Sequence, residues 1–65
     1  MYKIRIISKN LKKKFYFKEF KEGKTDIIIS TGRGKEFKDK REALKTIKEL
    51  KSLKKTYFYE IEEVR

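Results

Sequence analysis

The side chains able to do chemistry in this chain are cations, carboxylates and tyrosines, because histidine and cysteine are both absent. The usual general base and the thiolate nucleophile are therefore missing. Ser8, Ser30 and Ser52 have no imidazole to activate them. Glu60, Glu62 and Glu63 are the densest carboxylates, and Glu60 and Glu62 fall on one side of a strand. Their plain reading is a solvated acidic strand beside lysines. No catalytic residue is expected, and the chain reads as a non-enzyme. Zinc sites rely on His and Cys ligands, so no metal site is expected, and nothing calls for a cofactor or a small-molecule substrate.

The cations carry more information. Lys and Arg number 20 against 10 Asp and Glu, a formal net charge of +10. Such a balance attracts polyanions: nucleic acid, anionic lipid or an acidic protein. Two groups stand out. Lys3, Arg5 and Lys18 interleave with Tyr16, Phe20 and Phe58 on strand-like segments, a mixture suited to stacking unpaired bases. Arg41, Lys45 and Lys48 recur at helical spacing. Arg33 and Lys35 flank the second glycine of Gly32-Arg33-Gly34, a turn too short to be a Walker loop or a dinucleotide fingerprint. Contact with a phosphate backbone is the chemistry left to it. The expected mechanism is phosphate neutralisation with little reading of bases. The sheet cations should contribute more than the helix cations, because aromatics sit among them.

These residues need elements to hold them. Ile27 to Leu53 reads as a buried strand, a glycine turn and an amphipathic helix. Asp39 has the form of an N-cap, and Glu42 completes a capping box. Ala43, Leu44, Ile47, Leu50 and Leu53 make the apolar stripe. Tyr2–Ser8 alternates as a half-buried strand, and Lys13–Lys21 is a second. Asn10 is the residue suited to a left-handed turn between them. Glu22-Gly23-Lys24 turns into a third strand, Thr25–Thr31, and Thr56–Val64 forms a fourth. Phe37 is placed in the core ahead of the helix.

The result is an α+β domain spanning 1–65: a small antiparallel β-sheet packed on one α-helix, in the order β-β-β-α-β. Strict alternation assigns Ile4, Ile6, Phe15, Phe17, Ile27, Ile29, Tyr59 and Ile61 to the face under the helix. It assigns Lys3, Arg5, Ile7, Tyr16, Lys18, Phe20, Ile28 and Phe58 to the other. One helix cannot cover both. Ile7, Phe20, Ile28 and Phe58 are thus expected as one exposed patch, and a homodimer or another protein as its cover.

Phe15-Tyr16-Phe17, then Ile28-Ile29-x-x-Gly32-x-Gly34 with Ser30 between, then Phe37, Lys40, Ala43, Ile47 and Lys51, resemble the YegP-like domains of unknown function. The likeness covers Lys14 to Ser52. It implies a small antiparallel sheet with one helix, found in tandem or as homodimers, and it brings no catalytic site. The chain departs from that pattern at Glu22-Gly23, where asparagine-glycine is usual, and at Lys35-Glu36, which precede Phe37. Phe37, Lys40, Glu42 and Ala43 also resemble the helix start of the arm-type DNA-binding domains of phage-like tyrosine integrases, which lay a sheet in the major groove. Small lysine-rich archaeal chromatin proteins match in size and charge but end in a helix.

With 65 residues the core must be thin, and no disulfide can staple it. The Lys- and Glu-rich composition without glutamine, and with Asn10 as the one asparagine, is like that of heat-adapted proteins, a bias that an AT-rich genome also produces. No apolar run is long enough for a membrane span or a signal core, so a cytoplasmic location is expected.

Overall fold

The computed structural model describes residues 1–64. Strands β1 (Tyr2–Ile7), β2 (Phe15–Phe20), β3 (Ile27–Ser30) and β4 (Phe58–Glu63) form one antiparallel sheet in the order β3-β2-β1-β4. Helix α1 (Lys40–Leu53) lies between β3 and β4 in the chain and covers one face of the sheet. This is the expected α+β fold.

The helix start carries the expected Asp39 cap, while the Glu42 side chain makes no return bond to it among the described residues, so the capping box is half formed. The Asp39 carboxylate accepts a bond from the Arg41 amide at 2.9 Å, satisfying one of the donors a helix start leaves open. Ala43, Ile47 and Leu50 are buried against the sheet, and Leu53 is half-buried. Leu44 departs from expectation and is 51% exposed. At 3.6 residues per turn it sits roughly 100° round the helix from Ala43, beyond the covered stripe. At the other end the Tyr59 hydroxyl lies 2.9 Å from the Lys54 carbonyl and 3.2 Å from that of Leu50, and donates to this open end.

The core is Ile4, Ile6, Phe17, Ile27, Phe37, Ala43, Ile47 and Leu50. Phe15, Ile29, Tyr59 and Ile61 pack on it as alternation predicts. Phe20 does too, which alternation does not predict. A bulge in β2 shifts the register, so that Phe17 pairs with Ile29 but Glu19 with Ile28 and Phe20 with Ile27. One extra residue reverses the side on which everything after it points. Phe20 therefore turns inward, its ring centroid 5.0 Å from that of Phe17, and Glu19 takes its place on the outer face.

The segment after β3 returns to the sheet. β1 and β2 pair at Arg5–Tyr16 and Ile6–Phe15. Beyond that, Phe37 bridges to Tyr2 through bonds of 2.8 and 2.7 Å, and the Lys35 amide donates to the Phe17 carbonyl at 2.8 Å. Gly34 is what allows this approach. A Cβ there would lie 2.5 Å from the Cβ of Tyr16 and 3.0 Å from the Phe17 carbonyl oxygen. A Cβ at Gly32 would meet nothing within 4 Å.

The left-handed turn residues are Gly23 (φ 74°) and Lys24 (φ 53°), not Asn10. Asp26, just before β3, accepts from the Ile27 amide at 2.8 Å and lies 3.1 Å from the Lys54 ammonium. The amide bond and then Lys54 hold its carboxyl below the usual range.

Two outcomes test these contacts. Gly34→Ala should lose about 1–3 kcal/mol in urea denaturation, the usual cost of forcing atoms into a filled space, whereas Gly32→Ala should be near neutral. Burial raises the Tyr59 phenol from 10.0 to about 12. The unfolded chain then releases this proton before the folded one does. Stability that is complete below pH 10.0 is lost as pH climbs towards about 12. Tyr59→Phe should flatten that alkaline decline while costing about 1 kcal/mol at neutral pH from the lost hydrogen bond.

Candidate nucleic-acid interface

The expected binding residues divide into three places. Lys3, Arg5, Tyr16 and Lys18 stand on the outer face of the sheet. Arg33 and Lys35 are exposed on the segment that closes the gap beside β1. Arg41, Lys45 and Lys48 are exposed on the side of α1 turned away from the sheet.

On the outer sheet face each cation of β1 has a carboxylate across from it. Lys3 pairs in register with Glu62 and Arg5 with Glu60. Lys18 has Glu19 beside it at the bulge. Opposite charges on neighbouring strands attract one another, so this face carries little excess charge. Tyr16 corrects the expectation more sharply. It is 9% exposed, too covered for a base to stack on. Its hydroxyl donates to Glu62 at 2.9 Å, the Lys3 ammonium sits 5.3 Å from its ring centre, and Gly34 lies against its Cβ. The bond to Glu62 and then burial raise the Tyr16 phenol above its ordinary range, with Arg5 opposing them.

The proposed contact patch also needs correcting. Phe58 is 71% exposed and stands across from Ile7, at 36%, on the β1–β4 pair. Ile28 is half-buried on β3, at the other edge of the sheet, with β2 and β1 between. Phe20 is on the opposite face. The four do not make one surface.

The turn with Arg33 helps line a shallow hollow of about 430 Å³ with Lys3, Gly34 and Glu36. Lys35 lies over the Phe37 ring at 5.3 Å. The helix side is different in kind. Arg41, Lys45, Lys48 and the exposed Leu44 line a second hollow of about 370 Å³. Ion pairs among the described residues join Lys21 and Lys54 to Asp26 and Lys24 to Glu49, and none involves the helix cations Arg41, Lys45 and Lys48 or the sheet cations Lys3, Arg5 and Lys18. Leu44 was missed from the sequence because it falls beside the apolar stripe. A signal was there: of its helical neighbours, Lys40, Arg41 and Lys48 are cations and only Ile47 is apolar.

No group of three or more metal-ligating side chains occurs among the described residues. Likewise, none of the described helices is long and apolar enough to cross a membrane.

Tyr16→Phe should cost about 1 kcal/mol, measured by urea denaturation, for the lost bond to a carboxylate that stays solvated. Set beside known proteins, the chain matches no protein-family model, no curated protein and no solved structure.

Proposed function

We propose that the chain is a non-enzymatic binding module that takes nucleic acid by its phosphate backbone, through the outer side of α1. One observation carries this reading. Arg41, Lys45 and Lys48 line one hollow with Leu44 on the exposed side of α1; neither they nor the sheet cations form ion pairs among the described residues, but Lys3 and Arg5 stand in register with Glu62 and Glu60 on the neighbouring strand. Cations spaced three and four residues apart along one helix face repel each other, and a polyanion relieves that repulsion while releasing its own counterions. Arg33 and Lys35 add cations on an exposed segment. The reading places the protein where nucleic acid is, in the cytoplasm. The likeness to YegP-like domains belongs to the same proposal and adds no catalytic group to it.

The test is the salt dependence of duplex DNA binding. Each phosphate contact should contribute a slope of roughly −0.9 in log affinity against log salt. Arg41→Ala with Lys45→Ala should weaken binding and flatten the slope by about 0.9 for each cation removed. Arg5→Ala with Lys18→Ala should leave both nearly unchanged. Equal losses in the two double variants would mean only the diffuse field of a cationic protein.

A second reading rests on Phe58, whose exposure beside Ile7 favours a protein contact on that edge of the sheet. A homodimer through it would show twice the monomer mass in light scattering at micromolar concentration, and Phe58→Lys would return the monomer.

A further inference from the structure

We infer that α1 lies side-on against a double helix, along the backbone of one strand, without entering a groove. The inference rests on the backbone-binding reading above and adds the form of the nucleic acid and the orientation of the helix upon it.

The argument starts from the two flanks of α1. Arg41, Lys45 and Lys48 form its crest, facing away from buried Ala43, Ile47 and Leu50. At 3.6 residues per turn, Lys40, Leu44 and Lys51 fall on one flank of that crest, and Glu42 and Glu49 on the other. All three residues of the first flank are exposed. A helix seated in the major groove has phosphates on both sides, because the groove is about 12 Å wide and little wider than the helix itself. Here that pose would drive Glu42 and Glu49 towards the second strand. Rolling the helix towards its Lys40–Lys51 flank avoids this. It brings crest and flank onto one backbone, leaves the carboxylates in water, and sets Leu44 against the apolar sugar edge between phosphates.

The choice of duplex over single strand comes from the aromatics. Strand binders without sequence preference stack bases on exposed rings. No residue of the helix is aromatic, and the large exposed ring, Phe58, stands on the outer face of the sheet. What α1 offers is charge and one aliphatic contact, which suit a regular, dense line of phosphates.

The test uses the full chain with a mixed-sequence DNA duplex and its separated strand. At equal salt the duplex should bind more tightly. Hydroxyl-radical cleavage should be suppressed along one strand, while guanine N7, on the major-groove edge, stays open to dimethyl sulfate. Glu42→Gln with Glu49→Gln should change affinity by less than about threefold, since carboxylates left in water on the far flank are screened from the phosphates by solvent and salt. Circular dichroism serves as the check that this variant folds, and the Lys24–Glu49 pair it loses is exposed and weak. Protection of N7, or a gain of about tenfold or more as a like-charge clash is relieved, overturns the side-on pose and leaves backbone binding standing. Tighter binding of the single strand overturns the choice of duplex. Wild-type affinity in the Arg41→Ala, Lys45→Ala variant removes the backbone reading itself.

Discussion

The structure depends on the return of Gly34–Phe37 to the sheet. β1 and β2 pair over a short stretch, and the backbone groups beyond it need partners, because buried amides and carbonyls left unpaired are costly. The Lys35 amide and the bridge between Phe37 and Tyr2 supply them. The same segment brings Phe37 over the core, its ring 6.5 Å from that of Phe17, and delivers the chain to the Asp39 cap. On the other side it seals Tyr16. One close approach, open only to a residue without a side chain at position 34, thus ties the sheet, the core and the start of the helix together.

That approach also arranges the charge. With Tyr16 covered and bonded to Glu62, and with Lys3 and Arg5 each facing a carboxylate, the outer sheet face spends its polar groups on itself. The helix crest is flanked by carboxylates on one side only, Glu42 and Glu49, with Lys40 and Lys51 on the other. The difference follows from topology. β4 follows the helix and carries Glu60, Glu62 and Glu63 to the side of the central strand β1, so the acidic segment neutralises the sheet and leaves α1 as it is.

Most of the architecture was legible in the residues. Alternation in β1 and β4, the Asp39 cap and the Ala43–Ile47–Leu50 stripe each depend on near neighbours in the chain, which sequence displays directly. What could not be read depends on partners far away. The bulge at Lys18–Glu19 leaves no mark in β2 itself, since it is a property of pairing with β3, yet it moves Phe20 from the surface to the core and breaks up the expected patch. Gly34 looked like a flexible turn because Tyr16, the residue it must clear, lies many positions earlier. The candidate site was half legible for the same reason. Arg41, Lys45 and Lys48 were visible as a helical row, but the silence of the sheet cations could be seen only once Glu60 and Glu62 had been placed opposite them.

The central position of β1 bears on how the protein comes into being. Of the described elements β1 is made first, and one of its two neighbours, β4, is made last. Until β4 emerges from the ribosome, β1 presents an open edge, and Ile4 and Ile6 lack half of their sheet. The bond from the Val64 amide to the Met1 carbonyl, at 2.7 Å, joins residues 63 positions apart. Pairings of such separation delay folding, because the loop between them must close before any contact rewards it. Completion of the sheet around β1 then waits on the segment that follows α1, and until it arrives β1 is paired on one side only.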